Sequence, residues 1–251
     1  DRWIDRPDNV GQATGAFCAS VYDVHPYILA TWGDSMRSVF TIAHELGHAV
    51  QSVFAARNQR FVNARPSLVL IEAPSTLNEL LLAQHILEAT DDERTRRWVI
   101  VQLLGTYYHN YVRHLLEAEL QRRVYDHVEA GRPITASLLS QEKGDILDGY
   151  WAGVVEIDDG AKLTWMRQPH YYSGLYSYTY SAGLTCATIV AQALSEEGPE
   201  AGERWIRVLR EGGLRKPLEL MEMAGVDLED PETIRRAVEY VGRLIDEVQA
   251  T

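Results

Sequence analysis

Apolar residues recur at helical spacing along most of this chain, whereas two short segments near its start have the composition of strands. Residues 15–19 and 27–32 are rich in aromatic and β-branched side chains, which predicts two short strands. From residue 34 onward, apolar positions lie three and four residues apart, the period of an α-helix. The pattern predicts a mainly α-helical, multi-helix protein, with a small β-sheet region over residues 1–33 and a helical region over residues 34–251.

Capping residues and prolines locate the first helices. Asp34 is expected to cap a helix over about 35–57. Pro74 is expected in the first turn of a second helix, where its missing N–H is not needed, and that helix runs to about Ala89. Gly47 lowers the stability of the first helix, so its presence indicates that another backbone or a ligand approaches closely there.

A long helical stretch, about 92–130, comes next, with Asp91 or Asp92 as its cap and Gly105 as the expected position of a kink. It ends at Gly131, which precedes Arg-Pro, a common stop signal for a helix. The further helices expected from capping residues, breaks and periodicity cover about 135–150, 182–194, 200–211, 216–223 and 231–249.

Charge and composition exclude some classes of function. The net charge of −12 over 251 residues argues against binding nucleic acid or anionic membranes, because both need clustered Lys and Arg. No run of about 18 apolar residues occurs, so no membrane-spanning helix is expected. Cys18 and Cys186 share no ligand spacing, and a reducing, cytoplasmic location is the default expectation.

The segment over residues 41–51 carries the strongest chemical signal. It contains His44-Glu45-Leu46-Gly47-His48 in an apolar, helix-period run. Residues four apart lie on one face of a helix, so both imidazoles can bind one ion, and Glu45 lies beside them where it can take a proton from water. This arrangement predicts a zinc hydrolase site. The alternative is two core or surface histidines at chance spacing.

A catalytic zinc ion needs a third protein ligand and keeps its fourth position open for water. Glu72 follows His48 by 24 residues on the next predicted helix, and it is the candidate for that ligand. Glu79 lies two turns later on the same face, where it can accept a hydrogen bond from a ligating histidine. A solvated helix glutamate is an equal alternative for Glu79.

A histidine and a cluster of tyrosines form a second candidate site. His170 is followed by five tyrosines, at positions 171, 172, 176, 178 and 180. Hydroxyl and imidazole N–H groups are neutral donors, which can stabilise a developing oxyanion. We expect most of the five rings to pack in a core and at least one to serve the site. His109 and His114 lie five apart, which is not ligand spacing, and are expected to be packing or surface residues.

Several segments together resemble oligoendopeptidase F, in the thimet oligopeptidase family of zinc metallopeptidases. Each motif alone is short, but the combination is specific and extends over nearly the whole chain. The segments are the His44–His48 motif, Glu72-Ala73-Pro74-Ser75, His25-Pro26-Tyr27-Ile28-Leu29, residues 156–158 and 169–172, and Tyr178-Thr179-Tyr180-Ser181-Ala182-Gly183-Leu184.

The resemblance implies a metalloendopeptidase that hydrolyses short peptides. By the match of motifs, one Zn²⁺ ion per chain is bound by His44, His48 and Glu72, and Glu45 is the general base that activates a zinc-bound water. These assignments are what the resemblance implies, in agreement with the residue types and spacing.

The resemblance also implies roles for the late histidine and tyrosines. His170 matches the histidine that binds substrate and stabilises the oxyanion, and Tyr178 best matches the tyrosine that stabilises the oxyanion. Tyr171 and Tyr176 are expected to contact substrate. Where the family often has a second catalytic tyrosine, this register places Leu175 or Tyr176, so the choice between Tyr176 and Tyr178 stays open.

Family members are mostly helical, with a channel between two halves, and are usually about twice the length of this chain. We therefore expect residues 1–251 to form a single catalytic domain, the C-terminal half of a longer oligopeptidase, with an N-terminal half of the same enzyme as a possible partner. The opening sequence, Asp-Arg-Trp-Ile-Asp-Arg-Pro, fits that expectation. The sequence does not determine the oligomeric state.

Other functions remain open on the sequence. One is a metal-holding and peptide-binding module that does not cleave, because the channel wall is missing. Another is an open-cleft zinc protease that cuts folded proteins, and carboxypeptidase or dipeptidase specificity is open too. Another divalent metal, such as cobalt or manganese, is also compatible with these ligands.

Overall fold

The structure is a computed structural model that describes residues 3–5, 11 and 15–250. Its secondary structure is mainly helical with a small sheet, as the sequence predicts. The helices are α1 Met36–Asn58, α2 Leu68–Ala89, α3 Glu93–Tyr107, α4 His114–Glu129, α5 Ala136–Trp151, α6 Asp159–Lys162, α7 Tyr178–Glu197, α8 Pro199–Glu211, α9 Pro217–Met223 and α10 Pro231–Ala250.

The sheet near the start of the chain contains strands β1 Ile4–Asp5, β2 Ala16–Ala19 and β3 Tyr27–Ala30. Strand β3 lies in the centre, antiparallel to β2 and parallel to β1. Both predicted strands are therefore confirmed, and they form a hairpin. Strand β1 has only two residues, too few to produce a recognisable pattern.

The chain divides into two compact units. The first contains Asp1–Tyr107 together with Ala182–Thr251, and the second contains Tyr108–Ser181. The single catalytic domain expected from the sequence stays a prediction.

The first unit is built around α1. This helix packs against α2, against α8 and against strands β2 and β3, while α3 packs against α2 and α10. Its fully buried apolar side chains include Ile28, Phe40, Leu77, Leu80, Ile100, Leu103, Leu184, Leu220 and Met221. Burying each such side chain contributes about 1.5–3 kcal/mol, so this core fixes the relative positions of α1 and α2.

The second unit is built around the pair α4 and α5. Short helical turns at Thr164–Met166 and Pro169–Tyr172 pack against them. Leu120 and Ile146 are buried between these elements, together with the polar residues His114, Glu117, Gln121 and Lys143. Buried polar groups need hydrogen-bond partners, so this unit depends on a polar network as well as on apolar packing.

Two glycines allow helix α2 to be approached closely from both neighbours. A Cβ added to Gly47 of α1 would lie 2.4 Å from the carbonyl oxygen of Pro74. A Cβ added to Gly183 of α7 would lie 2.9 Å from the backbone carbon of Glu72. The close approach expected at Gly47 is thus confirmed, and the neighbour is the backbone of α2.

Ser35, and not Asp34, caps helix α1. Its hydroxyl accepts a hydrogen bond from the backbone N–H of Ser38, and its backbone is extended, as a capping residue requires. Asp34 has a left-handed φ of 45°, so it turns the chain into the helix.

Pro74 lies inside helix α2, and the prediction that it lies in the first turn was wrong. The helix begins six residues earlier because Ser67 caps it by accepting a hydrogen bond from the N–H of Val69. An interior proline removes one helical hydrogen bond, a change that costs about 3 kcal/mol in an ordinary helix. In α2, the hydrogen bond that Pro74 cannot form lies near the contact between Gly47 of α1 and the α2 backbone. Packing at this contact stabilises the helix despite the proline.

The long helical stretch is interrupted after Tyr107, and the kink predicted at Gly105 was placed too early. Residues Tyr108–Arg113 form a π-helical turn before α4 begins at His114. A π-turn inserts one extra residue and is frequently found at functional sites. Asp92 is the cap at the start, since its carboxylate accepts the N–H of Thr95.

Gly47→Ala is expected to lower the free energy of unfolding by about 1–3 kcal/mol or more, because the new methyl group would overlap the backbone of α2. Gly105→Ala is the matched control, since its Cβ would meet no atom within 4 Å. That change should leave stability unaltered or raise it by up to about 1 kcal/mol. Urea unfolding followed by circular dichroism measures both, and equal effects would refute the close-packing argument.

Candidate metal centre and active site

Helix α1 places the two histidines of the motif on one face. The rings of His44 and His48 lie with their centroids 5.0 Å apart at 80° to each other. Both side chains are partly buried, whereas Glu45 beside them is only 6% exposed. The two imidazoles therefore converge on one point at the edge of a buried carboxylate.

Glu72 of α2 completes the set of ligand atoms. Its Oε2 lies 3.4 Å from Nε2 of His44 and 3.5 Å from Nε2 of His48. Ligands about 2.0–2.1 Å from a tetrahedral zinc ion lie roughly 3.4 Å from each other. These separations are longer than a strong charged hydrogen bond, so each imidazole nitrogen is spaced from the Glu72 oxygen as a second ligand of the same ion would be. Ligand atoms of all three residues lie within 4.8 Å of one another. The donor set of two imidazoles and a carboxylate fits a catalytic zinc ion.

Glu79 orients the first histidine. Its Oε1 lies 2.7 Å from Nδ1 of His44, and its Oε2 accepts a hydrogen bond from the hydroxyl of Thr106 at 2.9 Å. A carboxylate only accepts, so Nδ1 of His44 carries a proton, and Nε2, which faces Glu72, is the nitrogen that can bind a metal ion. Of the two alternatives for Glu79, the structure therefore supports the histidine partner over the solvated glutamate.

Two hydroxyl groups that the sequence did not reveal support the carboxylates. Ser75 donates to Oε2 of Glu72 at 3.1 Å, and Thr106 donates to Glu79. Both residues are buried. Serine and threonine are common in helices, and nothing in their spacing marks these two. The only signal was the position of Ser75 in the Glu72–Ser75 segment that resembles the family.

The centre is rich in negative charge. Glu45, Glu72 and Glu79 face two imidazoles within the same partly buried region. Burial alone would raise the pKa of Glu72, but His44 and His48 lower it well below its usual range. Burial raises the pKa of Glu45, and the two imidazoles oppose this only in part. Such a cluster favours a divalent cation, and an elevated pKa suits a general base.

Strand β2 passes close to the motif helix. Cys18 on this strand lies within electrostatic reach of Glu45: burial raises the pKa of the Cys18 thiol, a hydrogen bond with Ser20 lowers it, and the Glu45 charge raises it further. In the described sheet, β3 is the hydrogen-bonded neighbour of β2, which is an edge strand. An edge strand beside the site is a place where an extended peptide can pair.

The residues of the second candidate site lie together in the second unit. The ring of Tyr176 stacks on that of His170, with centroids 5.6 Å apart, and its hydroxyl lies 2.9 Å from that of Tyr180. Tyr178 begins helix α7 and is 39% exposed. The hydroxyl of Tyr171 accepts a hydrogen bond from the buried ammonium of Lys143 at 2.9 Å, and burial raises the pKa of Tyr171.

The buried polar cluster around His114 was not expected from the sequence. His114 is fully buried and its Nδ1 lies 2.8 Å from Oε2 of Glu117. Ligand atoms of His114, Glu117 and His170 lie within 4.8 Å of one another, so their spacing alone would permit a metal ion. Arg113, 3.5 Å from Glu117, and the nearby Lys143 already place two cations at this carboxylate. These charges oppose binding of a divalent cation.

Comparison with known families decides the classification. The sequence model of peptidase family M3 matches residues 1–240 of this chain. The chain belongs to peptidase family M3. Members of this family are metal-dependent, which agrees with the donor set at His44, His48 and Glu72.

Relatives and solved structures agree with the family. The M3 chain is 30% identical over 249 residues to oligopeptidase PepF of Bacillus subtilis. It superposes on a putative peptidase of Chlamydophila abortus with a TM-score of 0.81 at 28% identity, over 99% of this chain and 42% of that one. It superposes on oligoendopeptidase F of Enterococcus faecium with a TM-score of 0.73 at 30% identity, over 86% of this chain and 39% of that one. The resemblance to oligoendopeptidase F is thus confirmed.

The M3 chain corresponds to only part of these relatives. Its alignment covers 99% of its own length but 37% of the Bacillus subtilis protein. What the longer proteins do is therefore carried over to this chain only as a proposal. In the described residues, no helix combines the length and apolar character needed to cross a bilayer.

Glu79→Gln is expected to weaken binding of a divalent metal ion, tested with zinc, by about 10–100-fold, because the amide is a poorer acceptor for the Nδ1–H of His44. Glu88→Gln is the control, since Glu88 is an exposed residue of the same helix. Competition with a chromophoric chelator measures both dissociation constants. An unchanged affinity in Glu79→Gln, or an equal loss in the control, would contradict the orienting role of Glu79.

Proposed function

We propose that this chain is the catalytic part of a zinc-dependent endopeptidase that hydrolyses short peptides. The observation that carries the proposal is the spacing of His44, His48 and Glu72, which matches three ligands of one zinc ion, with the buried Glu45 beside them. Membership of peptidase family M3 supports the reaction class. Similarity to oligoendopeptidases supports short peptides as substrates.

His44, His48 and Glu72 would hold the zinc ion. When bound, zinc lowers the pKa of water towards neutrality and polarises the carbonyl group of the substrate. Glu45 accepts the proton as water attacks the scissile carbonyl, and it then delivers that proton to the leaving amine. Burial raises the pKa of Glu45, which favours both transfers because the carboxylate is then a stronger base than an exposed glutamate.

His170 and Tyr178 supply neutral hydrogen-bond donors to the oxyanion in this mechanism. The matches of both residues to the family's motif support these roles, and the exposure of the Tyr178 side chain leaves its hydroxyl accessible. Tyr176 is the alternative donor, although its hydroxyl already has Tyr180 as a partner. Tyr171 and His170 are assigned to substrate contact.

The edge of β2 is proposed to hold the substrate backbone. A peptide that pairs with this edge in extended form would run past Glu45, to which Cys18 of the strand is electrostatically coupled. Main-chain pairing of this kind accepts many sequences, as an enzyme for mixed short peptides requires.

A non-cleaving metal- and peptide-binding module is the second candidate. The observation that favours it is that the chain spans 37% to 43% of the length of the relatives to which it aligns, so residues that wall the substrate channel would lie elsewhere. An N-terminal half of the same enzyme is then the proposed partner. The proposed location is the cytoplasm, in line with the free thiols of Cys18 and Cys186.

Metal analysis combined with peptide cleavage separates the two candidates. We expect one zinc ion per chain by mass spectrometry and cleavage of a quenched fluorescent nonapeptide that a chelator abolishes and zinc restores. Zinc without cleavage would favour the binding module. Failure to bind zinc after reconstitution would refute the assignment of His44, His48 and Glu72 as ligands.

Glu45→Gln should lower kcat by at least about 10²-fold, the usual contribution of a general base, while the zinc content stays at one ion per chain. The side chain keeps its size but can no longer accept a proton. Glu88→Gln is again the control for the change of charge and should cleave normally. Cleavage by Glu45→Gln at a near-normal rate would refute the mechanism.

Tyr178→Phe is expected to lower kcat by about 10²–10³-fold with little change in KM, because an oxyanion donor acts mainly in the transition state. Tyr176→Phe removes the other candidate hydroxyl, and Tyr172→Phe is the control at a side chain that is 71% exposed. Steady-state kinetics on the nonapeptide ranks the three variants. A larger loss in Tyr176→Phe would transfer the role to that residue.

A further inference from the structure

Gln168 lies between a fixed positive charge and the imidazole of His170. Its Oε1 accepts a hydrogen bond from Nη2 of Arg113 at 2.9 Å, and its Nε2 lies 2.7 Å from Nδ1 of His170. Arg113 ends the π-helical turn at 108–113 that precedes α4. All three residues belong to the second unit, so this chain of contacts does not depend on the first.

The identity of each donor follows from the chemistry of the groups. A guanidinium only donates, so the oxygen of the Gln168 amide must face Arg113. The NH₂ group of the amide must then face His170, and this group also only donates. Nδ1 of His170 therefore acts as the acceptor, and the single proton of the neutral imidazole lies on Nε2. A second proton on Nδ1 would place two N–H groups against each other.

The main chain of the same segment is held independently of the imidazole. The amide nitrogen of the buried Gln121 lies 3.3, 3.4 and 3.0 Å from the backbone carbonyl oxygens of His170, Tyr171 and Ser173. Changes at Gln168 are therefore expected to alter the protonation of the ring without releasing its backbone.

Several aromatic and charged groups also face His170. On the opposite side, the Tyr180 hydroxyl lies 3.4 Å from Nε2. The ring faces those of Tyr176 and His114, with centroids 5.6 and 5.3 Å away. Among the charged and titratable neighbours, Glu117 forms its short contact with His114, while Arg113 and His109 interact with this cluster electrostatically.

We propose that Gln168 is a positioning residue that keeps His170 as the tautomer with its proton on Nε2, so that His170 presents a neutral N–H donor to the substrate. This inference rests on the proposed function, in which His170 contacts the substrate. It also explains why the His114–Glu117–His170 cluster is not a metal site, since a protonated Nε2 and a hydrogen-bonded Nδ1 leave His170 no lone pair for an ion.

The tautomer can be measured directly by ¹⁵N NMR of the 251-residue chain labelled in its histidines, with His170→Ala used to assign the signals. At pH 7 the unmodified chain should show protonated Nε2 and unprotonated Nδ1 at His170. In Gln168→Glu the carboxylate accepts a hydrogen bond from the Nδ1–H group, so Nδ1 should be protonated and the doubly protonated ring should persist to higher pH. A proton on Nδ1 in the unmodified chain would overturn the proposal.

Gln141→Glu is the matched control, because Gln141 is an exposed residue of α5 in the same unit and the change adds the same charge. It should leave the His170 signals unchanged, and an equal change there would overturn the proposal. Gln168→Met keeps the size of the side chain but removes the donor, so a mixture of both tautomers is expected. Retention of the pure Nε2–H form in Gln168→Met or Gln168→Glu would show that Gln168 does not set the proton.

Peptide turnover is a second measurement, independent of the NMR experiment. Gln168→Glu should lower kcat at pH 7 by at least about tenfold, a part of the loss expected for an oxyanion donor, with KM nearly unchanged and the loss varying with pH. If neither the unmodified chain nor the variants cleave peptides, the proposed function fails while the tautomer is still decided by NMR. A normal kcat in a Gln168→Glu variant whose tautomer has changed would overturn the role of the donor.

Discussion

The close approach of helix backbones at Glu72 is the constraint on which the metal centre depends. Two of the proposed ligands lie on α1 and the third on α2, so the helices must lie near enough for side chains of fixed length to meet at one point. Gly47 of α1 allows this on one side of α2, and Gly183 of α7 allows it on the other. The geometry of the ligands is therefore set by backbone packing in the core of the first unit and needs little adjustment when an ion binds.

That packing also confines three carboxylates to a partly buried region, which would be unfavourable without a compensating charge. His44 and His48 offset part of it, and the hydroxyls of Ser75 and Thr106 satisfy oxygens of Glu72 and Glu79. A divalent cation would supply the rest. Metal affinity and folding stability are thus expected to be coupled in this unit, because the three carboxylates repel each other more strongly when no cation lies beside them.

Sequence spacing was enough to predict site residues whose relative positions are set by the repeat of a single helix. The pair His44 and His48 follows from the helical repeat, and Glu79 follows Glu72 by two turns. Partners from distant segments were not predictable: Thr106 reaches Glu79 from α3, and Arg113 donates a hydrogen bond to Gln168, 55 residues away. Pro74 shows where local rules fail. The proline alone predicts the start of a helix, but α2 continues through it where Gly47 of α1 packs against the backbone. The local pattern of the sequence predicted the strands, the mainly helical fold and most helix boundaries. In these segments, local preferences and tertiary packing favour the same structure.

The proposed reaction needs one group that changes its protonation and others that do not. Glu45 has the properties of the first, since burial raises its pKa and it lies beside the two imidazoles of His44 and His48. In the proposed mechanism, a histidine that also exchanged protons would compete with Glu45 for the role of base. A neutral N–H donor avoids this problem, and the contact with Gln168 provides it without using a charged partner. The Arg113–Gln168–His170 chain is therefore better understood as a device that prevents His170 from acting as a base than as simple structural support.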